Sequence, residues 1–98
     1  MERRSYKISA IIINKTRVEE VVIDPHADKH ADHISDELIL NLVAELVHTE
    51  HIAEEDSEGF QYFVSEIAYN SKFYKMVWLL EDDKFYVGVI TAFRDRRI

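Results

Sequence analysis

Five apolar runs separated by very short polar breaks constrain the fold of this chain more than any other feature. The runs cover residues 5–13, 17–23, 60–69, 73–80 and 85–94 and are rich in β-branched and aromatic residues, which is the composition of β-strands. The breaks that join neighbouring runs are Asn14-Lys15-Thr16, Asn70-Ser71 and Asp82-Asp83. Breaks of this length suit hairpin turns, and short turns between consecutive strands imply antiparallel pairing.

The segment between the second and third runs predicts two helices. Asp24 suits an N-cap and Pro25 suits the first helical position, so we expect a short helix over residues 25–32. Ser35 is a second N-cap and opens an amphipathic helix over residues 36–48. The apolar face of this helix repeats with helical spacing and consists of Leu38, Ile39, Leu42, Val43, Leu46 and Val47. The acidic residues that follow, 50–58, are expected to form a loop.

The order of these elements, β-β-α-α-β-β-β, predicts an α+β fold. In this fold an antiparallel sheet of about five strands carries both helices on one face, because their apolar sides need an apolar partner. With 98 residues, the chain is too short for two hydrophobic cores, so residues 1–98 are expected to form a single domain. Trp78 lies in the nearly continuous apolar run M-V-W-L-L and is expected in the core.

Composition narrows the class of protein. The formal net charge of −7 argues against a general polyanion binder, because affinity for nucleic acids rests largely on lysine and arginine. The absence of cysteine excludes disulfides, thiolate metal sites and thiol catalysis. No segment approaches the roughly 18 apolar residues of a membrane span, so we expect a cytoplasmic location and no membrane partner. The charge is uneven, however, since residues 50–58 hold five acids and residues 94–98 hold three arginines.

Three of the five histidines lie within D-P-H-A-D-K-H-A-D-H-I-S, residues 24–35. On a helix His26, His30 and His33 share one face, and Lys29 joins them. Three interpretations are open: a solvated helix face, a zinc site completed by a histidine or an acid from elsewhere, and an acid–base site beside a cation. Zinc is the least supported of the three, because the chain has neither an H-E-x-x-H pattern nor a cysteine.

Two stretches of the chain resemble a family of small domains. The first, P-H-A-D-K-H-A-D-H-I-S-D-E-L-I, opens with a histidine–alanine pair and continues into an amphipathic helix. The second, Y-K-M-V-W-L-L-E-D-D-K-F-Y-V-G-V-I-T-A-F-R, is similar to the last two strands of the family, which finish near a basic residue. These domains are grouped with the RelE and BrnT toxins, ribosome-dependent or free endoribonucleases on a compact α+β fold. The resemblance spans residues 20–94 and implies a metal-independent endoribonuclease of toxin type.

The resemblance also implies roles for individual residues. His26 matches the leading histidine of the family, His30 and His33 stand where arginine is common, and Arg94 matches the basic residue that ends the last strand. The implied catalytic residues are His26, His30, Lys29 and Arg94, and the implied substrate-binding residues are Arg96, Arg97 and His33. The histidines would exchange protons and the cations would stabilise the phosphate, so the resemblance implies neither a metal nor another cofactor.

A second hypothesis is a non-catalytic protein-interaction module on the same fold. Its surface would be the acidic loop or an exposed sheet edge. RNA, an antitoxin-like or other protein, and a second copy of the chain are therefore the partners to consider. The nuclease hypothesis makes the sharper structural demand, because it requires His26 and Arg94 to lie on the same exposed patch.

Overall fold

The computed structural model describes residues 3–29 and 34–96, and its dominant element is a curled six-stranded sheet that forms half of a barrel. The strands are β1 (Arg4–Ile13), β2 (Thr16–Ile23), β3 (Glu55–Ser57), β4 (Phe60–Tyr69), β5 (Lys72–Glu81) and β6 (Tyr86–Arg94). Their order across the sheet is β1-β2-β6-β5-β4-β3. The five predicted strands are all present, and none of their ends differs from the prediction by more than one residue.

Turn chemistry explains why the strand ends were predictable. Three hairpins have two-residue turns in which both residues have positive φ, and these turns are Asn14-Lys15, Glu58-Gly59 and Asn70-Ser71. Positive φ at both positions is the conformation that matches the right-handed twist of the flanking strands. Asparagine and glycine adopt this conformation at the least steric cost, so each turn ends its strands at a defined residue.

The predicted five-stranded antiparallel sheet is wrong, because the sheet is mixed. β2 pairs in parallel with β6, from Glu20 opposite Tyr86 to Ile23 opposite Val89. Short turns determine only the pairing of consecutive strands. These pairs are β1 with β2, β3 with β4, β4 with β5 and β5 with β6. The pairing that joins these two groups depends on how the chain between residues 23 and 86 returns to the sheet, which no local pattern encodes.

The prediction of a loop over residues 50–58 is also partly wrong, because residues 55–57 form an additional strand, β3. β3 pairs antiparallel with β4, and the backbone N–H of Glu54 extends the pairing by donating to the Tyr62 carbonyl at 2.7 Å. All three β3 residues are exposed. Acidic side chains are poor strand formers in general, but at an exposed sheet edge they remain solvated and discourage pairing with another chain.

The prediction of two helices on one face is wrong as well, since one α-helix, α1 (Asp36–Glu45), is present among the described residues. The segment after β2 forms a short 3-10 helix, η1 (Pro25–Lys29), and residues 30–32 of the predicted helix lie outside the described chain. A second 3-10 helix, η2 (Leu46–His48), completes the segment that was predicted to be one helix over 36–48. The predicted N-cap is confirmed, because Ser35 Oγ accepts from Leu38 N at 3.1 Å.

One hydrophobic core lies between α1 and the sheet. We call the side of the sheet that faces α1 the inner face; on β5 it carries Tyr74, Met76, Trp78 and Leu80, all buried. Trp78 is fully buried as predicted and stacks on Phe63 with ring centroids 4.1 Å apart. The helix contributes its predicted apolar face except Val47, which is 40% exposed. The opposite side, the outer face, carries the alternate β5 residues Phe73, Lys75, Val77, Leu79 and Glu81.

Candidate functional site

The parallel pairing of β2 with β6 brings η1, the first part of the histidine segment, against β6. Ile23, the last residue of β2, pairs with Val89, and the N–H of Asp24 donates to the Val89 carbonyl at 2.8 Å. The chain then enters η1, which packs against β6. From Val89, β6 continues for five residues and ends at Arg94. We call the place where η1 packs against β6, together with the rest of β6 up to Arg94, the η1–β6 corner.

Within η1, His26 faces solvent while Ala27 packs into the core. Asp24 sets this orientation, because its Oδ1 accepts from His26 N at 2.8 Å and its carbonyl accepts from Ala27 N at 2.9 Å. Asp24 therefore caps the 3-10 turn in the way that the sequence predicted for a helix. Because His26 is exposed, it is accessible to a ligand in solution.

Arg94 ends β6 on the inner face, opposite the buried Tyr74. Its guanidinium carbon lies 6.0 Å from the centroid of the Tyr74 ring, at the outer limit of a cation–π contact. The sheet pairing continues one residue further, because Asp95 N donates to the Phe73 carbonyl at 2.8 Å. The cationic end of the chain is thus tied to β5, and it includes one carboxylate, Asp95, between Arg94 and the exposed Arg96.

The structure places some of the predicted site residues but not all of them. His26, Arg94 and Arg96 are described, and the backbone of Lys29 ends η1. The side chain of Lys29 and the residues His30, His33 and Arg97 lie outside the description. The elements that carry the two ends of the predicted site therefore meet at the η1–β6 corner, while the roles assigned to the individual side chains stay predictions.

Sequence reasoning missed a polar network around His51. The ring Nε2 of His51 lies 2.8 Å from the Leu46 carbonyl oxygen, and Nδ1 lies 3.3 Å from Ser65 Oγ. Ser65 Oγ in turn accepts a hydrogen bond of 2.9 Å from Trp78 Nε1. The His51 backbone is held too, because its N–H donates to Asn14 Oδ1 at 2.7 Å and its carbonyl accepts from Asn14 Nδ2 at 2.8 Å.

These partners define part of the donor and acceptor pattern of the network. A carbonyl oxygen only accepts, so Nε2 of His51 is the donor to Leu46, and Nδ1 shares a hydrogen bond with the Ser65 hydroxyl. The oxygen of that hydroxyl accepts from the indole N–H, so every polar group in the network has a partner. Ser65 is only 7% exposed and its oxygen faces the indole. The Ser65 hydroxyl therefore serves as the hydrogen-bond acceptor of the buried Trp78 indole and is not arranged as a nucleophile. The alternation Phe63, Ser65, Ile67 on the inner face was the available signal, since a core Trp N–H needs a polar neighbour.

A second network joins β1 to the first turn of α1. The guanidinium of Arg4 donates to both carboxylate oxygens of Asp36, at 2.7 and 2.9 Å, and the Tyr6 hydroxyl donates to the same carboxylate. The hydrogen bonds from Arg4 hold the pKa of Asp36 below its usual value, although partial burial opposes them. The hydrogen bond to Asp36, together with burial, raises the pKa of Tyr6. No local pattern links residues 30 or more positions apart, so this contact could not be predicted from the sequence.

The outer face carries a groove of about 180 Å³ whose floor is Gly88. A Cβ at position 88 would lie 2.9 Å from Leu79 Cδ1, so glycine permits the close packing of Leu79 there. Tyr86 borders the groove and donates to Glu81 at 2.7 Å. Burial, followed by the hydrogen bond to Glu81, raises the pKa of Tyr86 to about 12. The neutral hydroxyl is therefore the form present at physiological pH.

An open cleft of about 500 Å³ lies at the other end of the molecule, beside the β1–β2 turn. It is lined in part by Ile12, Val47 and Glu50. Ile12 is 55% exposed and the nearby Ile52, which follows the anchored His51, is 89% exposed. The cleft thus combines exposed aliphatic side chains with the start of the acidic segment 50–58.

Metal-binding clusters and membrane-spanning helices are both absent from the described part of the chain. Residues 3–29 and 34–96 contain no group of three or more histidine and carboxylate side chains arranged to hold a metal ion. In the same residues, no helix has the length and apolarity needed to cross a membrane.

Comparison with known proteins gives no relative from which a role could be transferred. The chain matches no protein-family model, no curated protein and no solved structure.

Proposed function

We propose that this chain is a metal-independent endoribonuclease related to the RelE and BrnT toxins, with its site at the η1–β6 corner. The observation that supports the proposal is the parallel pairing of β2 with β6, after which η1, with the exposed His26, packs against the strand that ends in Arg94. The resemblance of residues 25–39 and 74–94 to that family points to the same two regions. A cytoplasmic location belongs to the proposal, because its substrate would be cellular RNA.

The chemistry requires a base, an acid and a cation around one phosphodiester. The base removes the proton of the ribose 2′-OH, whose oxygen attacks the adjacent phosphorus, and the bond from phosphorus to the 5′ oxygen breaks. The acid returns a proton to that leaving oxygen, so the products are a 2′,3′-cyclic phosphate and a 5′-hydroxyl. In the proposal His26 and His30 exchange these protons. Lys29 and Arg94 stabilise the negative charge of the pentavalent phosphorane, and Arg96, Arg97 and His33 hold the RNA.

Arg94 is suited to its proposed role because a guanidinium keeps its charge at every physiological pH and presents a planar set of donors to a phosphate. Its place opposite Tyr74 and the backbone bond that follows it restrict where the side chain can point. The net charge of −7 keeps the general affinity for RNA low. Binding at a local cationic site should therefore weaken steeply as salt is added.

The test is cleavage of a labelled single-stranded RNA in the presence of EDTA. Wild type should produce fragments ending in 2′,3′-cyclic phosphate, identified by mass spectrometry. His26→Ala should lower the rate by about 100-fold or more, which is the usual contribution of general acid–base catalysis. Arg94→Lys should also lower it, since lysine lacks the planar donor set.

The matched control is His48→Ala, which removes an exposed histidine from η2, near the cleft at the other end of the molecule. This variant should cleave like wild type. Equal rates for wild type and His26→Ala, or no cleavage by wild type, would rule out the proposed enzyme.

The second candidate function, a non-catalytic protein-interaction module, has its own support. The exposed Ile12 and Val47 line an open cleft that reaches the acidic segment 50–58 at Glu50, and Ile52 in that segment is exposed as well. Such a surface would suit a basic amphipathic segment of a protein partner, antitoxin-like or other.

The test of the second candidate uses a synthetic helical peptide of leucine and lysine, added to the labelled protein and followed by NMR. Chemical-shift changes should map to the cleft and disappear in Ile52→Asp. A leucine–glutamate peptide of the same length is the control and should cause no changes. Shifts elsewhere, or equal shifts with both peptides, would refute this candidate.

A further inference from the structure

The groove on the outer face whose floor is Gly88, here called the Gly88 groove, has apolar and aromatic walls. Residue 88 has no side chain, and its strand partners on either side are Val22 on β2 and Leu79 on β5. Phe60 and Tyr86 line the groove at the end where β5 finishes. A ligand in the groove would therefore meet aliphatic surface beside the floor and aromatic surface at one end.

Glu81 stands between the two aromatic residues. Phe60 is its partner in the pairing of β4 with β5, and from the β6 side the Tyr86 hydroxyl donates to Glu81 Oε1 at 2.7 Å. Glu81 is half-buried, and within residues 3–29 and 34–96 it forms no ion pair. The tyrosine supplies a hydrogen bond but no positive charge. The carboxylate thus has no cationic partner among these residues, in partly buried surroundings that reduce screening by solvent.

The charges at the rim favour a cation over an anion. Besides Glu81, the described charged residues that line the groove are Asp24 and Arg3. Arg3 Nε lies 3.9 Å from Asp24 Oδ2, and the arginine side chain is 72% exposed, so solvent screens its charge. Two carboxylates against one guanidinium give the groove a net negative charge. A bound anion would be repelled by both carboxylates, whereas a cation would be attracted to them.

An organic cation fits this combination better than a metal ion. A hard metal ion takes about six oxygen ligands, and the described residues contain no cluster of acids and histidines arranged to hold one. An alkylammonium ion is attracted by the faces of aromatic rings, and its alkyl groups gain free energy when aliphatic side chains cover them. The groove holds about 180 Å³, which is below the roughly 300–1,000 Å³ of pockets for drug-sized ligands. The ligand is therefore small.

We propose that the Gly88 groove binds a free alkylammonium ion of the size and chemistry of choline, with its nitrogen beside Glu81 and its alkyl groups against Phe60 and Tyr86. Among the described residues, none with an assigned role in RNA cleavage lines the groove, so the inference is independent of the proposed function.

The test is titration of the isotope-labelled full chain with choline chloride, followed by NMR, with sodium chloride of equal concentration in the reference sample. Choline should cause saturable shifts of the backbone amides around Gly88 and Glu81, with a dissociation constant on the order of 1 mM, as expected for a small ion held by weak contacts. The uncharged analogue 3,3-dimethylbutan-1-ol, in which carbon replaces the nitrogen of choline, should bind about tenfold more weakly or less tightly still. A peptide that carries trimethyllysine should bind no more tightly than choline.

Three variants test the contacts separately. Glu81→Gln should weaken choline binding about tenfold, because the amide still accepts the tyrosine hydrogen bond but has no charge. Phe60→Leu should weaken it about threefold, since leucine is apolar but has no ring. Arg3→Ala should strengthen it about twofold, because a nearby positive charge is removed. The matched control is Glu66→Gln, which removes a carboxylate from the same face, roughly 20 Å from Glu81 along the sheet, and should bind like wild type.

Four results would overturn the proposal: shifts that do not saturate, shifts confined to residues outside the groove, equal affinity for the uncharged analogue, and unchanged affinity in Glu81→Gln. A peptide that binds at least tenfold more tightly than choline would overturn the assignment of a free ion and would indicate a methylated protein instead. Circular dichroism verifies that each variant is folded. The comparison with the uncharged analogue uses wild type alone, so it does not depend on how any substitution is tolerated.

Discussion

The Ser65 hydroxyl offers the sharpest test of how the core is stabilised. Ser65→Ala removes the acceptor of Trp78 Nε1 at a site where the indole is fully buried. A buried donor left without a partner costs about 1–3 kcal/mol, so we expect the free energy of unfolding to fall by about 2 kcal/mol. For a chain of this length, about 2 kcal/mol corresponds to a fall in Tm of about 8–16 °C.

The assay is urea unfolding followed by circular dichroism, combined with a double-mutant cycle. In the Trp78→Phe background no N–H requires the hydroxyl, so Ser65→Ala should there cost less than about 1 kcal/mol. Ser9→Ala, on the exposed part of β1, is the control and should change stability by no more than about 0.5 kcal/mol. An equal cost of Ser65→Ala in both backgrounds would refute the reasoning, because the hydroxyl would then not act through the indole.

Three other predictions concern groups outside this network. Asp36→Asn should lower the free energy of unfolding by about 1–2 kcal/mol at pH 7, since it weakens the bidentate bond from Arg4. Because the pKa of Asp36 is depressed in the folded state, urea titrations at several pH values should show the difference from wild type shrink as the pH falls below the ordinary aspartate value and vanish only below the lower, folded pKa. The pKa of Tyr86 is raised to about 12, so stability should fall as the pH rises from the ordinary tyrosine value towards 12, and Tyr86→Phe should lack this fall in the same titrations. Asn14→Ala should destabilise the protein more than Asn14→Gly, because both lose the bonds to the His51 backbone but only alanine is strained at positive φ; equal losses in urea unfolding would contradict this account.

The candidate site could be predicted only in part. The exposed His26 and its cap Asp24 follow from a local pattern, and Arg94 follows from the end of a predicted strand. That η1 packs against β6 depends on the parallel pairing, which turn lengths do not encode. The His51 network was missed for a similar reason. Its members, His51, Ser65 and Trp78, come from a loop, β4 and β5, and they meet only when the sheet and α1 have formed.

What the sequence determined by itself was local. Apolar alternation, polar pairs able to adopt positive φ and the serine cap of α1 each act over a few residues, so the ends of the five long strands and the start of the helix could be derived from neighbouring residues. The tertiary structure alone decided that β2 lies beside β6, that an acidic segment becomes the edge strand β3 and that η1 packs against β6. These features join residues distant in sequence, and their free energy comes from burial and pairing that exist only after the chain has closed on itself.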